Sequence, residues 1–130
     1  MGRKPTTRQL GARERQIMDV IFQLGEASVS DVRERVANPP SYSAVRTMIG
    51  YLEGKGLLKH RRVGIKYVYR PTQSTETASR SALKHLLQTF YRQSPAKAVA
   101  AILEVASGDL TEHELQKIES LIEHARKDGQ

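Results

Sequence analysis

Apolar residues in the first part of the chain recur at the spacing of one helix face. Ile17, Val20, Ile21 and Leu24 stand at positions i, i+3, i+4 and i+7, so the pattern predicts a helix over residues 12–24. Gly11 is an acceptable N-cap for this helix. Gly25 suits its C-terminal end, because glycine readily adopts the left-handed conformation found there.

Two further helices are predicted before residue 56. The first covers residues 31–37, with Ser30 as its N-cap, and it ends at the two prolines at positions 39 and 40. The second covers residues 43–55, with Val45, Ile49 and Leu52 on its buried side. Two helices across a short loop, followed by a third, form a helix-turn-helix order.

Residues 57–63 and 65–70 alternate in polarity on either side of Gly64, as the strands of a β-hairpin do. Tyr67 and Tyr69 share one side of the second strand, and we expect both to pack against the helices. Three helices followed by a hairpin predict a winged helix-turn-helix domain over residues 1–72.

After a polar segment at residues 71–75 the pattern is helical, with start signals at Ser94-Pro95 and Thr111-Glu-His-Glu114. The fold class is therefore mainly α. A region this small cannot cover its own apolar stripes, and a second copy of the chain is the commonest cover. We predict a helical dimerisation region at residues 73–130, with a monomeric three-helix appendage as the alternative. The predicted dimer contacts are Leu83, Leu86, Leu87, Phe90, Val99, Ile102, Leu103, Leu115, Ile118 and Ile122.

Charge separates the same two parts of the chain. Residues 1–72 carry 14 Lys and Arg against 6 Asp and Glu, whereas residues 73–130 carry 7 against 8. A basic part of this size predicts a polyanionic partner such as nucleic acid. The chain has no cysteine, which excludes disulfides and thiolate metal sites. It also has no run of 18 apolar residues, so we expect a cytoplasmic protein without membrane insertion. The lack of cysteine and the scattered histidines lead us to expect no metal, and no motif indicates a cofactor.

The exposed side of the third helix is typical of a surface that enters the major groove of DNA. Small residues let the helix backbone approach the groove floor, while hydroxyl groups and an arginine can bind phosphates or base edges. The hairpin adds six cationic or titratable positions between Lys59 and Arg70, although a merely solvated hairpin is the alternative. The predicted contacts to double-stranded DNA are Ser41, Tyr42, Ser43, Arg46, Thr47, Gly50, Tyr51, Arg62 and Lys66.

Two segments match a catalytic pattern, and we interpret both as chance. The pattern S-x-x-K of serine penicillin-recognising enzymes occurs at residues 81–84 and 94–97, but no S-D-N or K-T-G follows. His113-Glu114 lacks the second histidine of a zinc hydrolase motif. The sequence therefore predicts a protein that is not an enzyme and has no catalytic residues.

Five segments together resemble the penicillinase repressor family of bacteria (BlaI/MecI type). They are residues 10–14 (LGARE), 29–32 (VSDV), 42–49 (YSAVRTMI), 52–56 (LEGKG) and 67–71 (YVYRP). The resemblance implies a dimeric transcriptional repressor with an N-terminal winged helix, a C-terminal dimerisation region and a palindromic operator. It also implies release by a signal, either cleavage triggered by a membrane sensor or Cu(I) binding to cysteines.

The chain departs from the family pattern in four respects. Ala44 stands where the recognition helix often has threonine, and Ile65 where the wing often has arginine. The second half has no Asn-Phe pair to serve as a cleavage site, and the lack of cysteine excludes the copper branch. The alternatives to a repressor are a winged-helix protein-interaction module without specific DNA binding and an RNA-binding protein.

Overall fold

The computed structural model describes residues 10–129, which form six helices and one two-stranded antiparallel sheet. None of the helices it describes is both long enough and apolar enough to cross a membrane. In chain order the elements are α1 (Ala12–Leu24), α2 (Val29–Arg35), α3 (Tyr42–Gly54), β1 (Leu58–Val63), β2 (Lys66–Pro71), α4 (Thr75–Phe90), α5 (Pro95–Val105) and α6 (Glu112–Asp128). This is the predicted winged-helix order followed by a helical region.

The chain divides into two compact units, and the division falls between Ser79 and Arg80, inside α4. The polar segment predicted at residues 71–75 is shorter than expected, because Pro71 ends β2 and Thr75 already belongs to α4. The first nine residues of the proposed DNA-binding domain lie outside the described part of the chain.

The core of the first unit lies between its three helices and the base of the hairpin. Of the apolar positions predicted for α1 and α3, Leu24 is only partly buried and the others are buried there; Ile17, Ile21, Val45, Ile49 and Leu52 each have 0% exposed surface. Burying one such side chain stabilises the fold by roughly 1.5–3 kcal/mol. Other members of this core are Leu10, Met18, Val32, Val36, Leu57, Leu58 and Tyr69.

The start of α2 differs from the prediction. The helix begins at Val29 rather than residue 31, and its N-cap is Ser28 rather than Ser30. The Ser28 hydroxyl accepts a hydrogen bond from the Asp31 amide at 3.1 Å, and the Asp31 carboxylate accepts one from the Ser28 amide at 3.0 Å. This reciprocal capping box satisfies two amides that would otherwise lack partners, which is why Ser28 takes the position.

The hairpin turns at the predicted place. β1 and β2 pair from Leu58 opposite Pro71 to Val63 opposite Lys66, which leaves a two-residue turn at Gly64 and Ile65. Gly64 has φ +62°, a left-handed conformation that suits glycine at the first central position of such a turn.

A contact that the sequence pattern did not predict anchors the hairpin. Ala27, between α1 and α2, pairs with Tyr69 through two backbone hydrogen bonds of 2.9 and 2.8 Å. Tyr69 is buried as expected, but Tyr67 is 48% exposed and stacks edge-on against His60 at 4.7 Å instead of packing on the helices. The expectation for Tyr67 was therefore wrong.

The second unit contains little buried surface of its own. Ser94 and Thr111 cap α5 and α6 as predicted, each accepting a hydrogen bond from the amide three residues later. Within the described residues, Ala98 is the one residue of α4, α5 and α6 that is buried. Phe90 is 69% exposed and Ile102 55% exposed, so part of the apolar surface of these helices faces outward in the single chain. Four of the predicted dimer contacts are half-buried instead: Leu87, Leu103, Leu115 and Ile118.

Candidate nucleic-acid interface

The N-terminal end of α3 carries a row of hydroxyl groups. The Ser41 hydroxyl accepts a hydrogen bond from the Ala44 amide at 3.2 Å, which makes Ser41 the N-cap of the helix. The hydroxyls of Ser41 and Ser43 lie 3.3 Å apart. Thr47 donates to the Ser43 carbonyl at 2.9 Å, so its hydroxyl oxygen remains an acceptor on the exposed side.

The exposed face of α3 carries a glycine and two exposed tyrosines. Gly50 is exposed, and a Cβ added there would meet no atom within 4 Å, so core packing does not require the glycine. Arg46 is exposed near the start of the face. Tyr42 and Tyr51 are 51% and 55% exposed, and the Lys55 ammonium lies 4.6 Å from the Tyr51 ring centroid.

The cationic positions of the hairpin are not equivalent. Arg61 forms two hydrogen bonds to the Glu26 carboxylate, at 2.6 and 3.1 Å, and His60 contacts Glu53. Arg62 donates from Nε to the Gly64 carbonyl at 3.2 Å. These three side chains are therefore partly used within the protein. Lys59, Lys66 and Arg70 are exposed.

Two carboxyl groups beside this surface are stabilised in their charged form. The hydrogen bonds from Arg61 lower the pKa of Glu26 below its ordinary value. The backbone amide and hydroxyl of Ser28 lower the pKa of Asp31, and the positive charges of Lys66 and Arg35 act in the same direction. Both carboxylates therefore stay negative near neutral pH, and each offsets some positive charge of the neighbouring surface.

A cleft of about 330 Å³ separates the beginning of α2 from α3 and the hairpin. Arg46 of α3 and Lys66 of the hairpin both line it, so one concave region has two cationic residues in its wall. A second depression of about 410 Å³ lies between the start of α1 and α3, where Thr47 and Tyr51 line it. The remaining lining of the first cleft is Ser28, Val29, Ser30, Tyr42, Ile65, Tyr67 and Tyr69.

The structure thus distributes the predicted contact residues over one continuous side of α3 and part of the hairpin. Tyr42, Arg46 and Lys66 share the first cleft, whereas Arg62 lines neither depression. Ser30, Ile65 and Tyr67 also line the first cleft, although the sequence pattern did not single them out as contacts. The sequence pattern assigned Ser30 to a helix cap and Tyr67 to core packing, so it did not indicate that either residue lines a surface cleft.

Solved structures share this architecture. The hsRosR-S1 complex aligns with a TM-score of 0.62 at 16% identity, covering 79% of this chain and 94% of that chain. The hsRosR-S4 complex gives a TM-score of 0.60 at 16% identity, covering 81% and 96%. The oxidised form of MarR from E. coli gives 0.50 at 16% identity, covering 91% and 76%. At these identities the similarity establishes the fold alone.

Sequence comparison gives a more specific result. No curated protein sequence is similar enough to this chain to supply a relative. The family model described as penicillinase repressor, however, matches residues 10–124, which is nearly the whole chain. The resemblance found in the five sequence segments is thereby confirmed. The chain belongs to the penicillinase repressor family and is a winged-helix transcription regulator of the DNA-binding class.

Proposed function

We propose that the chain is a homodimeric repressor that binds palindromic operators through α3 and the hairpin, with residues 1–72 as DNA-binding domain and 73–130 as dimerisation region. The observation that carries the proposal is the exposed face of α3, where Arg46 and hydroxyl groups surround the bare backbone at Gly50. Such a face allows close approach to base edges in the major groove.

The hairpin supplies the non-specific part of the binding energy in this proposal. Lys66 and Arg46 both line the cleft beside α3, and two cationic residues there suit a negatively charged backbone phosphate. Arg62 would contact a neighbouring phosphate through the guanidinium nitrogens that do not bond to Gly64. Phosphate contacts fix the position of a protein on the duplex, whereas Arg46 and the hydroxyls of Ser43 and Thr47 would read the sequence.

The outward-facing apolar residues of α4, α5 and α6 support dimerisation. Leu83 and Leu86 are 49% and 41% exposed, and they line an apolar groove together with Ile102 and Tyr91. Burial of these side chains against a second copy would remove them from water and pair two DNA-binding units. Two copies of α3 would then enter major grooves about 34–36 Å apart, which requires an operator with two-fold symmetry.

The signal that ends repression is unidentified. Family membership suggests sensor-triggered proteolysis, with a membrane sensor and its protease as the partner. Because the second half has no Asn-Phe pair, cleavage would have to occur at a different peptide bond. Proteolytic release is tested by incubating the DNA-bound chain with extracts of induced and uninduced cells, followed by mass analysis of the fragments. A defined fragment formed only in the induced extract is expected, and an intact chain in both extracts would contradict proteolytic release.

The proposal is tested by selecting duplexes from a random-sequence library with the full chain. Binding of a selected duplex is then measured by fluorescence anisotropy at several salt concentrations. We expect the logarithm of affinity to fall linearly with the logarithm of salt, by about 0.9 per neutralised phosphate. Arg46→Ala should weaken binding to the selected duplex by about 1–3 kcal/mol and to random duplex much less. Recovery of no symmetric sequence, or a flat salt response, would contradict the proposal.

A further inference from the structure

The tip of the hairpin is apolar, although the rest of the hairpin surface is charged. Ile65 is 92% exposed and Val63 is 45% exposed, on either side of Gly64. Turn positions favour glycine, asparagine, aspartate and serine. A β-branched apolar residue at this point gains nothing from the folded chain, since almost its whole surface remains in water.

The register of the hairpin places Ile65 in the turn itself. The register leaves Gly64 and Ile65 as the two turn residues, and Gly64 takes the left-handed conformation. Arg62 donates to the Gly64 carbonyl at 3.2 Å, so this arginine folds against the turn instead of extending beyond it. The turn therefore presents an almost fully exposed aliphatic side chain, directly before the exposed Lys66.

The hairpin that carries this tip is braced at its base. Backbone hydrogen bonds join Tyr69 to Ala27, and the Arg61–Glu26 ion pair joins β1 to the connection between α1 and α2. A side chain held on a braced arm can enter a narrow groove at little cost in conformational entropy.

We propose that Ile65 is an apolar wedge that enters the minor groove of the duplex next to the major groove occupied by α3, and that it bends the DNA. This inference rests on the proposed function. Apolar side chains inserted from the minor groove partly unstack a base step and kink the duplex by 20–90°. Lys66, the next residue, binds a phosphate beside the insertion and contributes the salt-dependent part of the contact.

The wedge has two consequences that a cationic wing tip would not have. Its contribution to binding is the burial of apolar surface, which does not depend on salt. It also selects pyrimidine–purine steps, which unstack most easily, at a fixed distance from each sequence read by α3. Specificity at those positions arises from the deformability of the DNA and needs no hydrogen bond to a base.

The experiment uses the full chain and a duplex that it selects from a random-sequence library. The bend angle is measured by the mobility of circularly permuted fragments, and affinity by anisotropy over a range of salt. Ile65→Thr keeps the branched shape but adds a hydroxyl, Ile65→Leu is the matched apolar control, and Lys66→Ala removes the adjacent charge. We expect Ile65→Thr to bind about tenfold more weakly, with a reduced bend and an unchanged salt slope.

The controls separate this inference from the proposed function. Ile65→Leu should keep both bend and affinity, whereas Lys66→Ala should lower the salt slope by about one phosphate and keep the bend. The bend is measured on bound complexes, so it does not depend on the fraction of folded protein. If Ile65→Thr leaves the bend angle and the affinity unchanged while Lys66→Ala weakens binding, the proposed role of Ile65 is wrong and the proposed function stands. If the wild-type chain selects no duplex, both fail.

Discussion

The hydroxyl of Ser28 accepts a hydrogen bond from the Asp31 amide, while Ser30, two residues later, is exposed and lies within α2. Replacing Ser28 by alanine leaves that amide without its partner. We expect Ser28→Ala to lower the free energy of unfolding by about 1 kcal/mol, as at other helix N-caps. The measurement is urea denaturation followed by circular dichroism. Ser30→Ala is the matched control and should change stability by less than about 0.5 kcal/mol. Equal losses from the two variants would contradict the assignment of the cap.

Gly50 lies in the middle of α3, where a Cβ would meet no atom of the protein within 4 Å. Gly50→Ala should therefore stabilise the fold by about 0.5–1 kcal/mol, because glycine is a poor helix former. If the helix backbone approaches the groove floor as proposed, the added methyl group should weaken binding to a selected duplex by about 1–3 kcal/mol, a cost typical of overpacking. Stability and affinity should thus change in opposite directions.

Gly54→Ala is the matched control for this prediction. Gly54 is the last residue of α3 and also has open space around its Cβ position. We expect it to leave DNA affinity unchanged. A Gly50→Ala variant that binds as tightly as the wild type would show that this part of α3 does not touch the groove.

At the scale of elements, the hairpin is joined to the connection between α1 and α2 by the ion pair of Glu26 and Arg61. The pKa of Glu26 is lowered by this pairing, so its stabilising effect is present above the ordinary value of 4.5 and is lost as the pH falls through the lower pKa of the folded state. In Arg61→Ala the pKa of Glu26 should rise towards its ordinary value, as measured by an NMR titration of side-chain carboxyl signals. The free energy of unfolding should then fall less on acidification in Arg61→Ala than in the wild type.

Asp31 is the internal control in the same titration. Its lowered pKa is caused by Ser28, Lys66 and Arg35, and Arg61 does not contribute. The Asp31 signal should therefore titrate at the same pH in the wild type and in Arg61→Ala. A shift of both carboxyl groups would mean that the variant disturbs the whole hairpin and not only the ion pair.

The elements themselves follow from local signals, whereas their long-range contacts do not. The spacing of Ile17, Ile21 and their neighbours determines a helix face, and Gly64 determines the turn, so both were predicted from the sequence. The pairing of Ala27 with Tyr69 joins residues 42 positions apart in the chain, and no local pattern indicates such a bridge. The predicted start of α2 was wrong because both Ser28 and Ser30 are suitable N-cap residues. Only the hydrogen bonds between Ser28 and Asp31 distinguish them.

The same limit applies to the candidate interface. Helix periodicity placed Arg46, Thr47 and Gly50 on the exposed side of α3, which the structure agrees with. It could not indicate that Arg61 and His60 are held by Glu26 and Glu53, because those carboxylates come from other elements. Counting cations in the hairpin therefore overestimates how many are available to a polyanion.

At the scale of the whole molecule, the second unit must be covered if the protein is a dimer as proposed. Leu83 is 49% exposed in the single chain, and its neighbours Leu86 and Ile102 line the same apolar groove. Leu83→Glu places a charge where a second copy would bury it, and burying an unpaired carboxylate is costly. We expect the dimer to dissociate at micromolar concentration in sedimentation velocity, and the affinity for a symmetric duplex to fall by about tenfold or more. Gln116→Glu adds the same charge at another exposed position of this unit and should leave the dimer intact. If Leu83→Glu remains dimeric and binds DNA normally, the two copies associate through some other surface, because an unpaired carboxylate buried in the proposed groove would have dissociated the dimer.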